Sequence, residues 1–398
     1  MWAWWFKNYL NRFVSIGTIK VNLPNGNSFT VGNQDQPDIT ITIHNQKALR
    51  RICLNPNLAV GESYMDGDLT IEGDDLKGFL RYAVKNLNHY QNHIVSGLQR
   101  KLLGLLRLIF QFNSIVQSRK NVQHHYDLTD DLYAAFLDED RQYSCAYFHD
   151  KRYSLEEAQI AKKQHIAKKL LLEPGMRVLD IGSGWGGLGL TLVKDYGASI
   201  LGLTLSTEQH KVSNQRAINE GLSDQAQFVL MDYRNLEGKF DRIVSVGMFE
   251  HVGVPNYREY FRTIYNSLHD DGVALLHTIG RTAPPGLTNS WLKKYIFPGG
   301  YVPALSETME AIEKEGLVIN DVEVLRIHYA ETLSHWFKRF EANIDRVKKI
   351  YDERFCRMWR FYLASCEMSF REGNIVVFQI QLSKKNSILP ITRDYLYR

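Results

Sequence analysis

The segment DRQYSCAYFHD, Asp140 to Asp150, sets a single cysteine, Cys145, between Tyr143-Ser144 and Ala146-Tyr147-Phe148. Such a cysteine is a nucleophile, a metal ligand, a core residue or the wall of another site, and its neighbours do not choose among these. The other three cysteines, Cys53, Cys356 and Cys366, form no CxxC and no paired spacing. That argues against a zinc site or a disulfide framework and fits a reducing cytosol. A second feature is VLDIGSGWGG (178–187), where Gly182-x-Gly184-x-Gly186-Gly187 follows an apolar run containing Asp180. Glycines at the carboxyl end of a strand let the backbone turn tightly and approach a ligand. The spacing departs from the GxGxxG of a dinucleotide site, and so does Asp180. A third feature, SVGMFEHVG (245–253), puts Glu250 and His251 at the end of another apolar run. In a wound α/β fold an acid there commonly faces the ligand; capping the following helix is the plainer alternative. For His251 the structural and functional readings weigh equally.

The elements that must carry these residues follow from periodicity. From about Asn121 the pattern alternates between strand and helix: MRVLDIG, ASILGLTLS, AQFVLMD, FDRIVSVGMFEHVG, GVALLHTIG and NIVVFQIQLS read as strands, and TEQHKVSNQRAINEGL reads as a helix ending at Gly221. Such alternation predicts parallel βαβ units. The stretch 331–373 reads as one long helical run, with Leu333, Trp336, Phe337, Phe340, Ile344 and Val347 three or four apart, mostly as core. Before this part lies a smaller α+β region. IKVNLPNGNSFTVG holds Asn25-Gly26 between two extended runs, a hairpin signal; DITITIH alternates with period two; NQKALRRICLN predicts a short helix. We therefore expect two domains, residues 1–110 with a basic helical linker and residues 120–398 with the wound sheet, in a chain of 398 residues that is too long for one ordinary core.

Composition excludes little but localises something. The net charge is only +4, with 44% hydrophobic and 23% charged residues, the balance of a folded soluble chain. Yet residues 81–125 hold seven Lys or Arg, four His and no acid, which predicts an anionic partner, nucleic acid or a membrane surface. No base-reading motif accompanies that stretch. KLLGLLRLIF (101–110) is too short and too charged to span a bilayer. MWAWWFKNYLNRFV lacks the features of a signal peptide. It reads equally as an interfacial helix, with Trp2, Trp4, Trp5 and Phe6 at headgroup level, or as a helix packed on its own domain.

The glycine turn resembles motif I of class I S-adenosylmethionine-dependent methyltransferases, a Rossmann-like α/β sheet with helices on both faces. With its neighbours the resemblance narrows. HHYDLTDDLYAAFLDEDRQYSCAYF (124–148), LTLSTEQ (203–209), SVGMFEHVG (245–253), FPGGYVP (297–303) and HYAETLSHWFKRF (328–340) resemble the cyclopropane-fatty-acyl-phospholipid synthases and the related mycolic acid cyclopropane synthases. The similarity runs from about residue 120 to the end, and the N-terminal region resembles that of the phospholipid-acting branch. Ser183 stands where that family often has Cys.

The resemblance implies a methyl donor, S-adenosylmethionine, held by Tyr143, Ser144, Asp180, Gly182, Gly184, Thr204, Gln209, Asp232 and Tyr233. For Gln209 an exposed helix position is the plainer alternative. It also implies a bicarbonate ion as base, positioned by Cys145, Glu250, His277, the Ile279 backbone and Tyr329. Aromatic residues would complete such a pocket, with Tyr126, Phe148, Tyr301 and Trp336 as candidates to flank the acyl chain and the cation; a place in the core is the plainer alternative for such a stripe. Cys145 then reads as the wall of an anion site; a small buried apolar residue is the alternative. The chemistry agrees: an alkene attacking a sulfonium methyl leaves a carbocation, which needs a nearby base, aromatic faces and no water. The implied reaction is methylene transfer to unsaturated acyl chains of membrane phospholipid. The implied setting is the inner membrane surface, reached peripherally from the cytoplasm, by a chain that is a candidate homodimer; neither a metal nor nucleic acid is expected. A sister methyltransferase giving methyl-branched or methylene products is the alternative, and a binding protein on a dead methyltransferase fold is the reading from a different class.

Overall fold

The computed structural model describes residues 1–94 and 129–397. Tyr126 and most of the basic stretch 81–125 lie outside the described residues. The chain divides into two compact units, one comprising Met1–Gly104, Thr288–Phe297 and Leu333–Asn374, the other Leu105–Leu287, Pro298–Thr332 and Ile375–Arg398. Two later segments thus cross the boundary at 110–120 that periodicity suggested.

The first unit holds α1 (Trp2–Phe13), β1 (Thr18–Asn22), β2 (Ser28–Gly32), β3 (Ile39–Ile43), α2 (Gln46–Leu54), α3 (Pro56–Met65), β4 (Leu69–Ile71) and α4 (Leu76–Ile94). The sheet order is β2-β1-β3-β4. β1 and β2 form the expected antiparallel hairpin, with Gly26 at φ 81°, a conformation that favours glycine. Asn45 caps α2 by accepting from the Ala48 N–H at 2.8 Å, and Pro56 begins α3 where its missing N–H is harmless. Helix α1 divides its aromatic residues between two environments. Phe6 and Leu10 are buried, whereas Trp4 and Trp5 are 64% and 57% exposed. Two cations of the basic stretch, Arg81 and Lys85, both reach Glu372, at 3.3 and 3.8 Å.

The later segments supply α10 (Ser290–Tyr295), the greater part of α12 (His328–Ala342), α13 (Ile344–Ile350) and α14 (Glu353–Glu372). The single helical run expected here is three helices. Asp352 accepts from the Phe355 N–H at 2.7 Å and so caps a new helix. α14 packs on α3 and α4, with Lys77 and Glu367 paired at 2.6 Å. Trp291 lies against Gly61, where an added Cβ would meet its indole at 2.6 Å.

The second unit is a seven-stranded sheet of order β10-β11-β9-β8-β5-β6-β7. Its strands are β5 (Arg177–Ile181), β6 (Ser199–Thr204), β7 (Ala226–Leu230), β8 (Phe240–Val246), β9 (Leu268–Arg281), β10 (Val318–Leu325) and β11 (Ile375–Ser383). β5 to β9 pair in parallel, and β11 runs antiparallel between β9 and β10. Helices α5 (Asp130–Ala134), α6 (Leu155–Lys169), α7 (Gly187–Tyr196), α8 (Thr207–Asn219), α9 (Tyr257–Ser267) and α11 (Leu305–Lys314) complete it. Alternate side chains feed two cores: Leu179, Ile181, Ala274 and Leu276 enter one, Val178 and Leu275 the other. This is the period-two pattern of a sheet covered on both faces, and it is the α/β class expected. The order reverses at β5, so the carboxyl ends of β5, β6 and β8 open a crevice.

Asn86, on α4, is buried and uses its whole amide. Its Oδ1 accepts from the N–H groups of Ser15 and Ile16, at 2.7 and 2.9 Å, and its Nδ2 donates to the carbonyls of Ile16 and Tyr82, both at 3.0 Å. Asn86→Ala strands these backbone groups, so a loss of about 3 kcal/mol is expected, read as a lowered thermal unfolding midpoint of the first unit.

Candidate active site

The crevice at the switch point is lined by all nine residues proposed to hold the donor: Tyr143, Ser144, Asp180, Gly182, Gly184, Thr204, Gln209, Asp232 and Tyr233. Gly182 adopts φ 88° and packs so closely that an added Cβ would meet the Met248 Cβ at 2.8 Å. The turn is thus fixed by both conformation and space. Gln209 is buried, not an exposed helix residue. Its Oε1 accepts from the Thr204 hydroxyl at 3.0 Å, and that hydroxyl oxygen accepts from the Ser206 N–H at 3.2 Å. Gln209 lines the crevice, and with its Oε1 engaged its amide nitrogen remains as the donor end of the side chain. Asp232 is engaged by the Arg234 guanidinium through Nε and Nη2, each at 2.8 Å, and its Oδ1 also accepts from the Arg234 backbone N–H at 3.0 Å. Tyr233 meets Tyr260 edge-on at 5.3 Å. Ser183 also lines the crevice and donates to the Leu203 carbonyl at 3.3 Å.

Asp180 carries the most informative electrostatics. It is buried, its Oδ2 has no hydrogen-bond partner among the described residues, and burial pushes its carboxyl up to about 7 against the pull of Lys162. An unpartnered buried acid costs free energy, and one at the edge of a crevice suits a cationic group of a ligand. Together with the aromatic rings and glycine turn, it fits the ammonium and adenosyl parts of S-adenosylmethionine.

The five residues proposed for the anion site fall on two parts of the fold. Glu250, in the turn after β8, accepts from the Ile279 N–H on β9 at 2.6 Å. That N–H is therefore spent, and Ile279 has only its carbonyl left to offer through its backbone. His277 lies two residues earlier on the same strand, so it shares a face with Ile279. The Gln379 amide nitrogen lies 3.1 Å from its Nδ1, which makes Nδ1 the acceptor and puts the proton on Nε2. Burial holds His277 down at about 3, so its ring is neutral. Glu250 is pushed up to about 7 by burial, and its Oε2 has no hydrogen-bond partner among the described residues. Cys145 and Tyr329 lie on two segments joined through their neighbours. The Ala146 N–H donates to Thr332 Oγ1 at 3.0 Å, one turn along α12 from Tyr329. Burial raises the Cys145 thiol far above its usual range, so it is protonated and a poor nucleophile. The Lys162 charge acts on both Cys145 and His277.

The proposed acyl-chain residues fare differently. Phe148 is half-buried, and its N–H donates to His328 Nδ1 at 3.0 Å. Tyr301 is spent in the sheet's core, its hydroxyl donating to Glu307 at 2.7 Å. Trp336 is fully buried and belongs to the first unit. Sequence reasoning missed Gln142, Trp185 and Arg234, which line the crevice, and Lys162 beneath it. His251 proves to be a half-buried crevice residue, its ring held down at about 4 by desolvation.

Glu250 supplies a pH test. Its carboxyl sits at about 7 against an ordinary 4.5, so its ionisation costs stability as pH rises across that window. Glu250→Gln keeps an acceptor for Ile279 and abolishes the ionisation. The variant's stability relative to the parent is expected to rise by about 3 kcal/mol between pH 4 and pH 8, at roughly 1.4 kcal/mol per unit, measured by denaturant unfolding; a constant difference contradicts the assignment.

Comparison with known proteins places this geometry. Residues 113–380 match the model of the mycolic acid cyclopropane synthetase family, and residues 5–93 match a domain of unknown function. The chain is 37% identical to the cyclopropane-fatty-acyl-phospholipid synthase of Escherichia coli strain K12, over 92% of this chain and 96% of that one. It is 34% identical to a tuberculostearic acid methyltransferase of Mycobacterium tuberculosis, over 89% and 85%. A crystal structure of a mycolic acid cyclopropane synthase complexed with SAH and CTAB superposes with TM-score 0.63 and 35% identity, covering 68% of this chain and 99% of that one. The glycine turn, the sheet order and these matches together make the chain a member of the mycolic acid cyclopropane synthetase family and an S-adenosylmethionine-dependent methyltransferase of the class I fold.

Proposed function

We propose that the chain transfers a methylene to the cis double bond of unsaturated acyl chains in membrane phospholipid, closing a cyclopropane ring. The observation that carries this reading is that Glu250, His277 and Cys145 are each desolvated and pushed toward the uncharged form by burial. S-adenosylmethionine, when bound, supplies an electrophilic methyl to the alkene. The π electrons would form the new carbon–carbon bond as the S–CH3 bond breaks and its electron pair leaves with S-adenosylhomocysteine; the adjacent carbon would become cationic, and loss of a methyl proton would close the ring. The protein's task is then to accept that proton and to offer the cation no nucleophile. A protonated Cys145 meets the second requirement. For the first, the His277 Nε2–H, the Cys145 S–H and the Tyr329 hydroxyl are donors suited to an anion, and the Ile279 carbonyl and Glu250 Oε2 are acceptors. A bicarbonate ion held by such a set supplies a base that remains ionised beside a carboxyl resting near 7.

The lipid setting has separate support. The relative from Escherichia coli is named for a phospholipid substrate. Trp4 and Trp5 of α1 are exposed, with Lys7 and Arg12 on the same helix, the composition of a helix that lies in a headgroup layer. No helix among the described residues is long and apolar enough to cross a membrane.

A second reading keeps the same cation but loses a different proton or shifts a hydride, giving methyl-branched or methylene chains. It is favoured by the likeness to the tuberculostearic acid methyltransferase. Incubation with S-adenosylmethionine and vesicles of cis-unsaturated phospholipid, followed by mass spectrometry and proton NMR of the acyl chains, separates the two. The expected result is a gain of one CH₂ with high-field ring protons. The same gain without those protons establishes the second reading, and no gain despite donor binding overturns both.

A further inference from the structure

Beneath the donor crevice lies a lysine that the reaction as described does not use. Lys162, on α6, is fully buried at 0% exposure. Its ammonium donates to Gln142 Oε1 at 2.6 Å and to Ser144 Oγ at 2.8 Å. Both acceptors are neutral, and among the described residues no carboxylate lies within ion-pair distance of Nζ. A buried ammonium without a direct counter-ion is costly, and proteins rarely keep one without use.

The neighbourhood does not discharge it. Asp140 is already committed to Lys163 at 2.6 Å and to Arg216. Asp138 accepts from the backbone N–H groups of Asp140 and Gln142, at 3.2 and 2.9 Å, and burial raises its carboxyl. Three cations thus face two acids on α6, α8 and the loop after α5. Asp180 on β5, Cys145 and His277 on β9 are the other titratable groups that sense Lys162, and the first is itself held near neutrality.

Nor is Lys162 needed to hold the backbone. One turn earlier on α6, Gln159 donates its amide to the carbonyls of Gln142 and Ser144, at 3.2 and 3.0 Å. Gln159 therefore fixes the main chain of the loop, whereas Lys162 grips only its side chains, and those side chains line the crevice. The ammonium can draw Ser144 and Gln142 into one orientation and project a positive charge through them.

Gln142 is held at both ends, by Lys162 and by Asp140, whose Oδ2 accepts from its Nε2 at 3.0 Å, whereas the Ser144 hydroxyl answers to Lys162. We propose that Lys162 is a positioning residue for the donor: it orients Ser144 toward the carboxylate of the donor's methionine portion and supplies the charge which that carboxylate completes. This rests on reading the crevice as the donor site. With Asp180 placed for the ammonium, the crevice then presents both charges of a zwitterion. Donor binding becomes coupled to proton uptake. Burial lowers the Lys162 ammonium to about 8 in the ligand-free chain, and a bound carboxylate raises it again. Affinity for a carboxylate-bearing ligand therefore falls as pH climbs through that value.

The test is isothermal titration calorimetry of the full chain with S-adenosylhomocysteine, and with 5′-methylthioadenosine, which lacks the amino-acid portion. Measurements from pH 7 to 9.5, in buffers of different ionisation heat, report proton uptake. S-adenosylhomocysteine is expected to bind with proton uptake near pH 8 and to weaken by up to tenfold per pH unit above it, while 5′-methylthioadenosine shows neither effect. Lys162→Met is expected to weaken S-adenosylhomocysteine at least tenfold at pH 7, abolish its proton uptake and leave 5′-methylthioadenosine unaffected. The parent protein alone decides the matter if that variant does not fold. Binding of S-adenosylhomocysteine with no uptake and a flat pH profile overturns the role of Lys162. Failure of both ligands to bind overturns the donor-site reading on which it rests.

Discussion

Exclusion of water from ionisable groups at the carboxyl edge of the seven-stranded sheet is the constraint on which the site depends. Asp180, Glu250, His277, Cys145 and Lys162 are buried there, and His251 is half-buried beside them. Desolvation is the largest influence on every one of them, and in each case it favours the uncharged form. The site is therefore a region of low dielectric whose acids and bases stand close to neutral. A cationic intermediate formed in such a place meets few nucleophiles, and a small bound anion meets hydrogen-bond donors.

The fold produces this condition through register. β8 and β9 pair with Val246 opposite His277, and β9 and β11 pair with His277 opposite Gln379. That register gives His277 a partner that fixes its tautomer, and it brings the Ile279 N–H within reach of the Glu250 turn. The glycine turn after β5 is a second consequence, since Met248 leaves no room for a side chain at Gly182. The crevice and the buried Glu250–His277 pair are thus two consequences of one strand-end geometry, with Lys162 sensed by Asp180 and by His277.

Much of this was legible in the sequence because it is local. The strands of the wound sheet, the Asn25-Gly26 hairpin and the glycine turn are set by period-two burial and by the positive φ that glycine tolerates. The residues expected to hold the donor come from the motifs they sit in, and the structure brings them to one crevice. What was illegible depends on distant partners. Lys162 reads as a solvated lysine because the chain does not announce that α6 is buried on the side facing Gln142 and Ser144. The Ile279 N–H is committed to an acid 29 residues away. Thr288–Phe297 and Leu333–Asn374 pack with the N-terminal segment, as Trp291 against Gly61 shows, and periodicity carries no record of such a partner. Tyr301 and Trp336 illustrate the same limit: large aromatics fill cores as readily as they line pockets.

The central claim is that the buried carboxyl beside the Ile279 N–H stays protonated to near neutral pH. Carbon-13 NMR titration of glutamate side-chain carboxyls in the ligand-free chain measures this directly, with Glu250→Gln assigning the resonance. The account predicts a midpoint near 7 for Glu250, and a midpoint at or below the ordinary 4.5 would contradict it.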